Sequence, residues 1–233
     1  MKPVAIIQHL ATDGAAYFAV WLQANGIPFR TFKMHEGDSL PVDITQHAGL
    51  CILGGAMSAN DALPYYPQLL EQIRTCVARG IPVIGHCLGG QLIARAFGGT
   101  VQASENVEIG WSEMEPVHPD AEQWFGAERF NIFQWHGESF SIPPGATQVL
   151  RGRHCANQAF VVGDRHLAMQ FHCEVDAEKI EYWLKADAAE LCGSTSLGVQ
   201  SSASILATLE QDLRASRAMA DRIYSRWASN LQG

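Results

Sequence analysis

Pro82-Val83-Ile84-Gly85-His86-Cys87-Leu88-Gly89-Gly90-Gln91 is the stretch on which the reading of the chain turns. Its opening residues are a short apolar run of the kind that forms a strand buried on both faces. The residues that follow, Gln91-Leu92-Ile93-Ala94-Arg95-Ala96-Phe97, read as a helix closed by Gly98-Gly99. A cysteine therefore stands at a strand-to-helix junction, with glycines where a sharp turn needs room. This is the arrangement of the G-x-S-x-G nucleophile elbow, with sulfur in place of oxygen. A thiol on such a turn projects above the carboxyl end of the sheet, where open α/β folds place ligands, and the N-terminus of the next helix favours its thiolate. The expectation is a nucleophile that is both exposed and activated.

Outward from this junction the same alternation repeats. Towards the N-terminus, Val4-Ala5-Ile6-Ile7 reads as a strand, Ala15 to Asn25 as a helix ended by Gly26-Ile27-Pro28, and Phe29 to Phe32 as a second strand. Leu50-Cys51-Ile52-Leu53 is a buried strand ending in Gly54-Gly55, and Pro67 to Arg79 has helical spacing up to Gly80. Short apolar strands alternating with helices imply a parallel sheet covered on both faces. After Thr100 the pattern becomes turn-rich and antiparallel. It includes Phe130 to Trp135, and a hairpin of Ala159-Phe160-Val161-Val162 and Leu167-Ala168-Met169-Gln170 around Gly163-Asp164. The sheet is thus expected to be mixed. Ala177 to Leu191 reads as a helix, Gly193 to Ser204 as a connection, and Ile205, Leu209, Leu213, Met219, Ile223 and Trp227 mark an amphipathic last helix. Residues 1–191 are read as one domain, and 192–233 as a linker and a C-terminal helix docked on it.

Composition narrows the function. The 233 residues are 47% apolar and 17% charged, with a net charge of −8 and no basic cluster, which argues against nucleic-acid and anionic-membrane binding. No apolar run reaches the length of about 18 residues that spans a bilayer, and the N-terminal run lacks a cleavage site, so a cytoplasmic protein is expected. The six cysteines form no C-x-x-C pair and are expected to be mostly free, buried thiols.

A thiol nucleophile needs a base, an orienting group and oxyanion donors. Of nine histidines, His172 in Gln170-Phe171-His172-Cys173-Glu174 is the best placed, following an apolar strand. Positions i and i+2 of an extended segment point the same way, so Glu174 can fix the tautomer of His172. The N–H of Leu88 and the Gly54-Gly55-Ala56 backbone can serve as oxyanion donors. No metal-ligand spacing accompanies Cys87, Cys173 and His172.

Together these motifs resemble class I glutamine amidotransferases, the type with a Cys-His-Glu triad. The likeness runs from about Val4 to Leu184, and rests on Gly54-Gly55, the stretch 82–91 and the stretch 170–174. Glu108-Ile109-Gly110-Trp111, Gln134-Trp135-His136-Gly137-Glu138 and Asn157-Gln158-Ala159-Phe160 are similar to stand-alone members resembling the amidotransferase half of GMP synthase. The resemblance implies a flavodoxin-like, mostly parallel α/β sheet with helices on both faces. It makes Cys87 the nucleophile, His172 the general acid/base and Glu174 the orienting carboxylate, with Gly55, Ala56, Leu88, Gln91, Gly137 and Glu138 around the substrate and no cofactor. His136 has a rival reading as a structural or specificity residue. The implied chemistry is hydrolysis of the glutamine amide, with ammonia passed to a separate synthetase subunit. Hydrolysis of a small γ-glutamyl compound and a catalytically silent module are the alternatives. Two residues depart from the family pattern: Cys173 and Ala56 stand where proline is usual.

Overall fold

The structure, a computed structural model, describes residues 1–186 and 194–232. The chain is α/β, with one mixed, mostly parallel sheet and helices on both faces. Its strands are β1 (Val4–Gln8), β2 (Phe29–Lys33), β3 (Gly49–Ile52), β4 (Val83–His86), β5 (Val101–Pro116), β6 (Phe130–Phe140), β7 (Thr147–Gly152), β8 (Ala159–Val162), β9 (His166–Met169) and β10 (Gly198–Val199). The helices are α1 (Ala16–Ala24), α2 (Tyr66–Ala78), α3 (Leu88–Ala96), α4 (Ala121–Phe125), α5 (Ala177–Ala186) and α6 (Ser202–Ala228). The parallel half runs β2-β1-β3-β4-β9, and β8, β7 and β5 continue it antiparallel, with β6 and the short β10 also on β5.

The apolar runs read as strands are central ones, and their side chains divide by alternation between two cores. Val4, Ile6, Cys51 and Ile84 face a core shared with α1, α4 and the second half of α6. Ala5, Ile7, Leu50, Ile52 and Val83 face a core shared with α2 and α3. A third cluster, Ile109, Trp111, Phe133, Ile180, Trp183, Ile205 and Leu213, fastens α5 and the start of α6 over β5 and β6. The expected helix from Ala177 is described as far as Ala186; its continuation to Leu191, and Gly193 of the connection, lie outside the described residues.

The last helix begins at a capped end, where the Ser201 hydroxyl accepts the Ser204 N–H at 3.1 Å. Ile205, Leu213, Ala220, Ile223, Tyr224 and Trp227 are buried along it. Cys51, Cys76, Cys87, Cys155 and Cys173 are free and buried; Cys192 lies outside the described residues. No described helix is long and apolar enough to cross a membrane.

Candidate active site

Parallel strands end on the same side, so loops far apart in sequence meet there. The loops after β1, β3, β4 and β9 bring Asp13, Gly54–Ala56, Cys87 and His172 to one rim. Cys87, between β4 and α3, has φ 49° and ψ −109°, the strained turn that a nucleophile elbow requires. Its N–H is tied to Met169 O at 2.9 Å. The thiol is not exposed as the sequence led us to expect: Cys87 is only 7% accessible. Walls contributed by β6 and α5 enclose it at the floor of a cleft, with Trp135 O 3.8 Å and Gln170 Nε2 3.6 Å from Sγ.

His172 and Glu174 lie beyond the end of β9 rather than within a strand, and only a single bridge, His172 N to Phe133 O at 2.9 Å, continues the pairing. The expected contact nevertheless forms. His172 Nδ1 donates to Glu174 Oε1 at 2.7 Å, which leaves Nε2 as the nitrogen able to exchange a proton in the cleft. Cys173 in the proline position does not loosen this geometry. Its buried Sγ instead lies 3.3 Å from the Tyr224 hydroxyl of α6, which is 3.2 Å from His86 Nε2. Burial lowers His86 to about 4, so it sits there as a neutral imidazole.

Gly54 explains how the imidazole and the thiol share so small a space. A Cβ there would stand 2.9 Å from His172 Cε1 and 3.7 Å from Cys87 Cβ, so any larger residue would press on the histidine ring.

Burial disfavours the charged forms of both His172 and Glu174. The Glu174 carboxylate and the adjacent Cys87 outweigh burial for the imidazole and raise it to about 10. His172 and Lys179 hold Glu174 well below the usual carboxylate range. Lys179 was not foreseen from the sequence. Buried on α5, its Nζ lies 3.4 Å from Glu174 Oε1, donates to Gly14 O at 3.1 Å and sits 4.9 Å from the Trp183 ring centre. Because the folded-state pKa of Glu174 is depressed, its contribution to stability is present above its unfolded value near ~4.3 and lost as pH falls towards the folded value. Glu174→Gln should therefore flatten the acid limb of a urea-stability profile, and an unchanged limb would contradict this electrostatic assignment.

The cleft measures about 610 Å³, and Gly55, Ala56, Gln91, Gly137 and Glu138 line it with Cys87 and His172. Leu88 and Glu174 do not: the Leu88 side chain is sealed in the core, and Glu174 stands behind His172. A Cβ on Gly55 would approach Leu88 Cδ2 to 3.0 Å, so the loop after β3 and the elbow are in contact. The Gln91 amide nitrogen is engaged with Glu138 O at 3.2 Å and Gln170 Oε1 at 3.3 Å, tying α3 to β6. His136 braces the same segment, with Nδ1 3.1 Å from Glu138 O and Nε2 3.1 Å from Glu108 Oε2. Glu108 is fully buried and also accepts from Gln158 at 2.6 Å and Ser112 at 3.1 Å. This network favours the structural reading of His136.

A strained cysteine beside a histidine–carboxylate pair, at the carboxyl edge of a mostly parallel sheet, has the geometry of a thiol-centred nucleophile elbow. Residues 22–187 match the family model for class I glutamine amidotransferases, and the chain belongs to that family. A crystal structure of a glutamine amidotransferase from Methylobacillus flagellatus has a TM-score of 0.97 and 44% identity, covering 100% of this chain and 96% of that one. Another, from Thermotoga maritima, has a TM-score of 0.84 at 26% identity, covering 97% of each chain. Among curated relatives, the glutamine amidotransferase-like protein YfeJ of Salmonella typhimurium is 27% identical, over 81% of this chain and 82% of its own length. GMP synthase of Latilactobacillus sakei is 32% identical over 63% of this chain, and the match spans only 28% of that enzyme.

Proposed function

We propose that the chain hydrolyses the side-chain amide of glutamine through a γ-glutamyl thioester on Cys87. The Cys87 thiolate attacks the amide carbon, and backbone N–H groups of Leu88 and of Gly55 or Ala56 receive the oxyanion. As the C–N bond breaks, His172 gives its proton to the departing nitrogen and ammonia leaves. His172 then takes a proton from water, which attacks the thioester; the C–S bond breaks, releasing glutamate and restoring the thiolate. Glu174 keeps Nδ1 protonated throughout, so that only Nε2 exchanges protons. Gln91, Gly137 and Glu138 form the wall against which the glutamyl part rests.

The observation that carries this reading is the 2.7 Å contact between His172 Nδ1 and Glu174, beside a cysteine held on a strained elbow at the cleft floor. Likeness to the amidotransferase part of GMP synthase supports an ammonia-accepting synthetase as a separate partner. Free thiols in the described core fit a reducing cytoplasm. Hydrolysis of a γ-glutamyl amide uses the same steps with an amine as leaving group, and the size of the cleft favours keeping it as the second reading.

Ammonia release from glutamine by the purified chain tests the proposal. Steady release of ammonia and glutamate in equal amounts is expected; folded protein that cleaves other γ-glutamyl amides but not glutamine overturns it in favour of the second reading, and folded protein that cleaves neither overturns both. Glu174→Gln should lower kcat/KM by about 10²-fold without abolishing turnover, because the ring loses its orientation while the nucleophile remains. A variant at the wild-type rate would remove Glu174 from the mechanism.

A further inference from the structure

The cleft is wider than glutamine hydrolysis requires. Ammonia leaves no bulk behind, yet beyond His172 the space continues along Leu10, Thr12, Asp13, Tyr182, Trp183 and Ala186, from the loop after β1 and from α5. Its volume of about 610 Å³ is within the range of sites that enclose ligands larger than one amino acid. This extension adjoins the proton-transfer residue: Trp183 meets the His172 ring edge-on with centres 5.0 Å apart, and Trp135 stands 5.5 Å from Trp183. The amine half of a γ-glutamyl amide would leave on that side.

Apart from the His172 imidazole, the charged side chains among the described lining residues are acidic. Asp13 and Glu138 are the acidic residues lining the cleft, and no described lining residue is a lysine or arginine. Asp13 is only 6% exposed, beside the Trp183 indole. The cations near it, Lys179 and His172, are both already committed to Glu174, and Lys179 also to Gly14 O. Burial pushes the Asp13 carboxyl up, against the opposing pull of Lys179 and His172. A carboxylate set among tryptophan and tyrosine rings is a receptor for an ammonium group, through ion pairing and attraction to the ring faces. An anionic tail would meet no lysine or arginine among the described residues there.

We infer that this extension receives a positively charged amine, so that the enzyme's substrate class includes γ-glutamyl amides of diamines or other amines with a distal ammonium. This rests on the thioester reading above. Cys87 would form the same S–C bond as the amide C–N bond breaks, His172 would protonate the departing amine, and water would release glutamate.

The test compares kcat/KM for three γ-glutamyl amides that differ only in the end group: the mono-amides of 1,4-diaminobutane, pentylamine and 5-aminopentanoate. The cationic amide should exceed the neutral one by about tenfold or more, with the anionic one below both. In Asp13→Asn the cationic-to-neutral ratio should fall towards one, with partial recovery in Asp13→Glu. Because the ratio is taken within each variant, a general loss of folding or rate cancels. Equal use of the cationic and neutral amides, preference for the anionic one, or a ratio unmoved by Asp13→Asn overturns the inference. Hydrolysis of glutamine but of none of the amides overturns it while leaving the glutaminase reading intact. Failure on glutamine and amides alike overturns both.

Discussion

Cys87→Ser is expected to lower glutamine hydrolysis by about 10³-fold or more while leaving the urea midpoint nearly unchanged. The hydroxyl fits the space of the thiol and keeps the same backbone, but at neutral pH it holds its proton far more tightly. His172 would then have to remove that more tightly held proton in the attacking step. The separation of the two effects is the informative part. Loss of rate with an intact transition assigns the chemistry to sulfur, whereas an active serine variant would mean that the nucleophile lies elsewhere.

Gly89→Ala should have the opposite profile, a large loss of stability that carries activity down with it. A Cβ at this position would collide with the Ile52 carbonyl oxygen and lie 3.0 Å from Ile52 Cβ. β3 cannot yield, because it pairs with β1 on one side and β4 on the other. The first turn of α3 would have to lift from the sheet, dragging Cys87 with it. Overpacking of backbone against backbone should cost at least about 3 kcal/mol in urea denaturation. A loss under about 1 kcal/mol would show that α3 can shift freely, and would undercut the account of why glycine follows the nucleophile.

These two glycine and cysteine positions were legible because the elbow is local: strand, turn and helix lie within ten consecutive residues. The central strands were legible for a related reason. Val4–Ile7 and Leu50–Leu53 are buried on both faces, so their sequence is continuously apolar and needs no partner to interpret. The expectation of antiparallel, turn-rich structure after Thr100 missed the length of β5, sixteen residues from Val101 to Pro116. Its register shifts between Ala103 and Glu108, and it buries Glu108, a carboxylate made tolerable only by His136, Gln158 and Ser112. No window of sequence around Glu108 contains all those partners.

The candidate site divides along the same line. His172 and Glu174 are two residues apart and could be paired on paper, although they meet in a bend past β9 rather than in a strand. Lys179, Trp183 and Asp13 could not be read, since their significance comes from α5 folding back over the loop after β1. The accessibility of Cys87 was misjudged for the same reason: its strand and turn place it at a sheet edge, but β6 and α5 supply the walls that cover it.

Treatment of the native protein with a diazo-ketone analogue of glutamine, followed by peptide mass mapping, asks whether the cleft delivers a glutamyl group to one sulfur. One adduct is predicted, on Cys87, with glutamine protecting against it and His172→Ala slowing its formation. Absence of labelling in folded protein whose Cys87 still reacts with iodoacetamide, or labelling spread over other cysteines without protection by glutamine, would contradict the assignment.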